Sequence, residues 1–407
     1  MRILLLNEYF PPDTSATAKM AAAVADALAE KHEVTVVCGR PSYDPSERHA
    51  YYLRRREKRG RVNVVRVGST AYPRLRMLHR ISNYLSYVAF AIPTALLIRT
   101  DLVLAMTDPP FAGIVGGFVA WVKGSPFAYN IRDLYPEMAL EGRIVRSSLL
   151  ISLWEKLHRW ALGRAVRVIV LGEDTRERII AKGIDPERVL VVRDGTRIPQ
   201  ILPGADHPIA QEIRSGFRFV VMHAGNLGFY GAWDTLLQAA QLLNGDGIGF
   251  VFVGDGALRE QIRTSANGCG SVRFLPFRPP EEVGYVLAAG DLHLISIRSG
   301  LEGVVVPSKL YPILAAGRPV LALASEQSDA ARVVRRTGCG VVADPEDPRS
   351  VAAAIRELSA DPERLTMMGR RAREIAANFE MDKELQRFRE ALEAIAGSDG
   401  GDSNSVV

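Results

Sequence analysis

Short runs of Leu, Ile, Val and Phe alternate with longer stretches of helical periodicity, and the alternation plays out twice along the chain. Ile3–Asn7, Glu33–Cys38, Val62–Val67, Leu102–Ala105 and Phe127–Ile131 read as strands, with Ala16–Lys31 as a helix between the first two. Apolar runs this short suit strands buried on both faces, and intervening helices supply the crossovers that parallel pairing needs. The pattern then restarts. Phe217–His223, Gly249–Val253, Val272–Leu275 and Leu292–Ile297 read as strands and Trp233–Leu243 as a helix. The economical reading is an α/β chain of two Rossmann-like domains in tandem.

Length and composition agree. At roughly 100–200 residues per domain, 407 residues hold two or three domains. With 47% hydrophobic and 24% charged residues, the chain is neither disordered nor a multi-span membrane protein. We place an N-terminal domain at 1–198 and a second at 205–378, divided where Ile198-Pro199-Gln200-Ile201-Leu202-Pro203-Gly204 breaks the periodicity. Residues 379–396 read as a C-terminal helix, with the N-terminal domain as one candidate packing partner, and 397–407 as a disordered tail. Cys38, Cys269 and Cys339 are odd in number and far apart, so a reducing compartment, the cytoplasm, is expected. The apolar run after Met1 is too short for an export signal.

Two segments bear on partners. Arg54, Arg55, Arg56, Lys58, Arg59, Arg61, Arg66, Arg74 and Arg76 fall within the stretch from Arg48 to Arg80, against the single carboxylate Glu57. An anionic membrane face, a phosphorylated ligand or a solvated basic loop all fit. A nucleic-acid partner is not expected, because the aromatic and glycine signatures of RNA-binding modules are missing. Ile81–Ile98 is almost entirely apolar and uncharged. A helix buried in the domain, a helix lying in the membrane surface and a span remain as alternatives.

Open parallel sheets bind ligands beyond the carboxyl ends of their strands, which directs attention to three segments. After the first strand, Thr14, Ser15 and Ala16 open a helix whose free amides suit a phosphate, or simply cap it. After Phe127–Ile131, the cluster Arg132-Asp133-Leu134-Tyr135-Pro136-Glu137 belongs in a cleft. There Asp133 or Glu137 would hold sugar hydroxyls or act as a base and Arg132 would face a phosphate; a structural salt bridge is the alternative. After Leu292–Ile297, Arg298, Glu302, Gly303 and Ser308 lead to Lys309, read as lying in the first turn of a helix. A cation there opposes the helix dipole unless an anion is bound, so Lys309 is the first choice for a pyrophosphate ligand. Glu302 would accept hydrogen bonds from a sugar or ribose.

Read together, these segments resemble the family 4 glycosyltransferases of the GT-B fold, especially the bacterial enzymes of colanic-acid, O-antigen and capsule assembly. The resemblance rests on Tyr9-Phe10-Pro11-Pro12 with Lys19-Met20, on Arg132 to Glu137, and on Gly225-Asn226-Leu227-Gly228 with Gly254-Asp255-Gly256. Val306-Pro307-Ser308-Lys309-Leu310-Tyr311 leading to Leu314-Ala315-Ala316-Gly317-Arg318-Pro319 completes it. It implies two Rossmann-like domains facing across a cleft, and transfer of a sugar from a nucleoside diphosphate with retention. It implies no bound metal and no cofactor beyond the nucleotide-sugar substrate. The donor would lie on the C-terminal domain, with Asn226, Gly228 and Gly254 among its contacts. A lipid-linked or glycan acceptor would lie on the N-terminal domain, at the inner face of the cytoplasmic membrane. The chain departs from the family pattern where many relatives carry Arg and Lys, having Asn226 and Tyr230 instead. It also has Pro312 in place of a glutamate and Arg132 in place of a histidine. A nucleotide-sugar 2-epimerase and a non-catalytic sugar-nucleotide-binding scaffold are the competing readings.

Overall fold

The structure, a computed structural model, describes residues 1–42, 51–73, 76–141, 147–197 and 207–398. The chain divides into two compact units. Unit 1 holds Met1–Leu171, Arg176–Val192 and the described residues from Lys383 onward, and unit 2 holds Gly172–Thr175 and Arg193–Asp382. The expected linker at 198–204 lies outside the described residues.

The first unit is built from β1 (Arg2–Leu6), α1 (Ala16–Leu28), β2 (Glu33–Cys38), β3 (Arg54–Arg59) and β4 (Val62–Val67). There follow α2 (Met77–Leu96), β5 (Leu102–Ala105), α3 (Ala112–Lys123), β6 (Phe127–Ile131), α4 (Glu137–Glu141) and α5 (Ser148–Arg164). The unit is completed by β7 (Arg167–Val170), α6 (Glu173–Ala181), whose first residues belong to unit 2, and β8 (Val189–Val191). The sheet runs β3-β4-β2-β1-β5-β6-β7-β8, parallel except for the antiparallel β3–β4 pair. All four residues of β5 and all five of β6 are buried, as strands covered on both faces must be.

Two segments with open readings are placed here. The basic run Arg54–Arg59 is an edge strand, its register set by Arg55 opposite Arg66 and Glu57 opposite Val64. Charged side chains are how natural sheets keep an edge from recruiting another chain. The apolar stretch at 81–98 lies in α2 as far as Leu96, with Pro93 inside that helix and Leu97 as its C-cap. Tyr87 and Ala91 pack into the core, and no helix among the described residues is long and apolar enough to cross a membrane.

The second unit comprises α7 (Pro208–Arg214), β9 (Phe219–Ala224), α8 (Trp233–Leu242), β10 (Ile248–Val253), α9 (Arg259–Ser265) and β11 (Val272–Leu275). It continues through α10 (Val283–Ala289), β12 (Leu292–Ser296), α11 (Leu310–Ala315), β13 (Val320–Leu323), α12 (Asp329–Thr337) and β14 (Gly340–Ala343). Helices α13 (Pro348–Ser359) and α14 (Pro362–Ala376) precede α15 (Met381–Ser398). Its six strands, in the order β11-β10-β9-β12-β13-β14, are all parallel.

Most of α15 belongs to unit 1. Glu393 bonds His32 at 3.0 Å and Arg389 pairs with Glu30, fastening that helix to the end of α1. The helix runs to Ser398, and the remainder of the expected tail, 399–407, lies outside the described residues.

In each unit the first strand has neighbours leading off both ways, β1 between β2 and β5, β9 between β10 and β12. Loops at such a switch point diverge, leaving a crevice at the carboxyl end of the sheet.

Candidate functional site

In unit 2 the loops leaving β9, β10 and β12 are tied together by their own backbone. Gly225 donates to the carbonyl of Val253 at 2.8 Å, Leu227 to that of Asp255 at 2.8 Å, and Arg298 to that of Tyr230 at 2.7 Å. The approach requires glycine at 254, where φ is +147° and an added Cβ would lie 2.1 Å from the Gly225 carbonyl oxygen.

Lys309 crosses this platform. Its Nζ donates to the Tyr230 hydroxyl at 3.1 Å and stands 5.1 Å from the centre of that ring. The Tyr230 hydroxyl in turn donates to the Asn226 carbonyl. The lysine stem passes directly over Gly225, where a Cβ would meet Lys309 Cε at 2.2 Å. Burial alone pulls the ammonium down to about 8 from an ordinary 10.5, because low-dielectric surroundings disfavour the charged form. Below it His223 is buried and held well under the usual histidine range, first by burial and then by the Lys309 charge. Lys309 stands just before α11 rather than in its first turn, because the regular helix begins at Leu310.

The other donor-side candidates gather on the same loops. Glu302 Oε2 accepts the Gly300 N–H at 2.9 Å, which holds the turn around Gly303. Gly303 has φ +69° and packs so closely on Asp174 that a Cβ would fall 2.6 Å from its carbonyl oxygen. Ser308 is exposed and its N–H donates to the Val306 carbonyl at 3.0 Å. Gly228 offers its carbonyl to Trp233 Nε1 at 2.6 Å. Arg298, together with Phe229, Trp233 and Glu346, lines a cavity of about 440 Å³.

Sequence reasoning missed one pair behind these loops. Asp174 Oδ2 accepts the Asp329 N–H at 2.9 Å, and Asp329 Oδ1 receives Arg193 at 2.7 Å. Burial, and then the neighbouring Asp329 charge, raises Asp174 above the usual carboxylate range. Each aspartate reads locally as an ordinary first-turn residue of a helix, so nothing in the sequence links positions so far apart.

The remaining candidates lie in unit 1. Ser15 is the N-cap of α1, its Oγ accepting the Ala18 N–H at 3.1 Å, with Thr14 and Ala16 exposed beside it. Loops after β1, β5 and β6 are joined by Glu8 N–H to the Asp108 carbonyl at 2.7 Å and by Arg132 N–H to Thr107 Oγ1 at 2.7 Å. Asp133 is half-buried on the last of these. Glu137 begins α4 and pairs with Lys182 at 2.5 Å, a lysine that also binds Glu155 at 2.8 Å. Among the described residues no three His, Cys, Asp or Glu side chains are grouped to hold a metal ion.

Comparison with known proteins follows the same division of the chain. Residues 15–195 match the family described as "Glycosyl transferase 4-like domain", and residues 209–375 match "Glycosyl transferases group 1". WbjE of Pseudomonas aeruginosa, described as a glycosyltransferase, is 27% identical over 64% of this chain and 66% of its own length. WcaI of Escherichia coli, described as a colanic acid biosynthesis glycosyl transferase, is 23% identical over 94% of this chain and 97% of its own. The fold is also that of Alr3699/HepE from Anabaena, solved with UDP-glucose, with TM-score 0.70 at 19% identity over 97% of this chain and 100% of that one. The two parallel-sheet domains are those of the GT-B architecture, and the chain belongs to the family 4 glycosyltransferases.

Proposed function

We propose that the chain moves a sugar from a nucleoside-diphosphate-sugar to a lipid-linked or glycan acceptor in surface-polysaccharide assembly, with retention of anomeric configuration and without a bound metal ion. The observation that carries this reading is the partly buried Lys309 ammonium held over glycine-built loops at the switch point of unit 2. A departing diphosphate needs positive charge that is already in place and desolvated, and such preorganised groups supply much of the rate enhancement in transfer reactions. Lys309 and Arg298 provide the charge, the amides around Gly228 provide further donors, and Gly254, whose own N–H donates to the Leu275 carbonyl, lets the loop backbones approach closely. Gly303 and Ser308 shape the loop, Asn226 fixes the Tyr230 hydroxyl, and Glu302 faces the sugar or ribose.

In unit 1 the proposal gives the sugar-facing role to Asp133, half-buried on the loop after β6, and a positioning role to Glu137, which pairs with Lys182. Arg132 faces phosphate, and the loop Thr14-Ser15-Ala16 receives the acceptor. The names of WbjE and WcaI, and the UDP-glucose in HepE, support the reading. The enzyme works in the cytoplasm, peripheral to the anionic inner face of the cytoplasmic membrane, with no nucleic-acid partner. A thermal-shift panel of nucleotide sugars identifies the donor, because a ligand that binds only the native state raises its melting temperature. Turnover of that donor is then followed with and without acceptor-bearing membranes. The proposal expects acceptor-dependent release of nucleoside diphosphate; an epimerised sugar nucleotide formed without acceptor contradicts it.

A further inference from the structure

Three neighbouring helices of unit 1 turn apolar residues outward as well as inward. Along α2 and its C-cap, Leu78, Ile81, Leu85, Ala89, Pro93 and Leu97 are all exposed at spacings of three and four, a continuous stripe in which Ser82 is the polar member. Helix α3 packs against both α2 and α5 and adds Trp121 and Val122. Helix α5 continues the surface with Leu149, Leu150, Leu153, Leu157 and Trp160. Leu149 is 82% exposed, Leu78 and Leu97 are 77% exposed, and Trp121 is 55% exposed. Single exposed leucines are ordinary, but adjoining outward stripes on three helices mark an interaction surface.

The charges on these helices say which partner fits. Arg76 caps α2 and Arg80 lies in its first turn; Lys123 ends α3; Lys156, Arg159 and Arg164 lie on α5. The only carboxylate on the three helices is Glu155, already bonded to Lys182 and Arg159. A second copy of this face would bring cations against cations, which opposes association. An anionic lipid leaflet supplies apolar depth for leucine and tryptophan and opposite charge for the long basic side chains, which can snorkel toward headgroups.

We propose that the outward face of α2, α3 and α5 seats unit 1 in an anionic lipid leaflet. This deepens the peripheral placement proposed above, on which it rests, by naming the surface that makes the contact. It also moves that contact away from the basic edge strand β3, which carries no apolar residue.

The test is co-sedimentation of the full chain with phosphatidylcholine vesicles, with and without about 30% phosphatidylglycerol. Tryptophan emission is read in parallel. Wild type pellets preferentially with the anionic vesicles and its emission shifts to the blue. Leu149→Glu/Leu153→Glu/Leu157→Glu and, independently, Leu78→Glu/Leu85→Glu/Leu97→Glu lower the bound fraction at least ~fivefold, since charge on the apolar face is expelled from the interface. Arg54→Ser/Arg55→Ser/Arg56→Ser stays within about twofold of wild type. Undiminished pelleting of both leucine variants overturns the proposal, as does indifference of wild type to anionic vesicles. A dimer in lipid-free buffer that the same leucine substitutions dissociate overturns it as well. Nucleotide binding, measured on the same proteins, separates this outcome from the transferase reading: failure to bind lipid with nucleotide binding intact counts only against the membrane placement.

Discussion

The Lys309 ammonium donates to the hydroxyl of Tyr230 at 3.1 Å, although the two residues lie 79 positions apart. Tyr230 stands where many family 4 glycosyltransferases carry a lysine, so the positive charge at this spot arrives from the loop after β12 rather than from the loop after β9.

That arrangement fixes a pH signature for ligand binding. Lys309 sits near 8, below its ordinary 10.5, because burial disfavours its charge. Its folded pKa is depressed, so this lysine costs stability at neutral pH, and the cost is relieved as pH rises from about 8 toward 10.5. A bound diphosphate favours the charged form and draws the pKa back up. Calorimetry of nucleoside diphosphate binding near pH 8.5, repeated in buffers of different ionisation enthalpy, should show uptake of roughly half a proton or more. Lys309→Gln should abolish the uptake.

Glycine at 254 is set by contact, whereas glycine at 60 is set by conformation alone. Gly254→Ala drives a methyl into the Gly225 carbonyl, while at Gly60, with φ +56°, nothing lies within 4 Å of an added Cβ. Equilibrium unfolding should show a loss of more than about 3 kcal/mol for Gly254→Ala and about 1 kcal/mol for Gly60→Ala.

Lys182 holds two carboxylates, Glu137 and Glu155, with its own side chain buried. Lys182→Met leaves both without their cation and should destabilise unit 1 by about 2–3 kcal/mol in urea unfolding. Glu137→Gln should cost less than half of that and, on the proposed positioning role, leave turnover within about twofold of wild type. A large fall in turnover at unchanged stability would restore Glu137 to the chemistry.

His158 is buried edge-on to Tyr129, with no hydrogen-bond partner on either ring nitrogen, and burial pulls its pKa down to about 4. As pH falls through 6.5 the unfolded chain takes up a proton that the folded chain refuses, so stability drops between about 6.5 and 4. His158→Leu should remove roughly 2 kcal/mol of the loss seen between pH 7.5 and 4.5. Urea unfolding at the two pH values measures it.

The strands buried on both faces were legible because their apolar runs are continuous, as in Leu102–Ala105 and Phe127–Ile131. Strand β3 was not, since Arg-Arg-Arg-Glu-Lys-Arg has no apolar alternation and its pairing with β4 is a backbone event at an exposed edge. Helix α2 was ambiguous for the opposite reason, being apolar on the outward face as well as the inward one. Lys309 could be singled out because a cation before a helix conflicts with the helix dipole. Its partner Tyr230 could not, because that contact depends on β9 and β12 being neighbours in the sheet, and nothing local in the sequence links Asp174 to Asp329.

The account stands or falls on whether the Lys309 platform holds a diphosphate. Calorimetric titration with UDP, GDP, ADP and dTDP identifies the tightest ligand of the wild-type chain, and the same titration is repeated on Lys309→Ala and Tyr230→Phe. The account predicts a loss of affinity of about tenfold or more for Lys309→Ala, the loss of one charge-assisted contact, and a smaller one for Tyr230→Phe, with circular dichroism unchanged in both. Affinity in Lys309→Ala equal to that of wild type would contradict it.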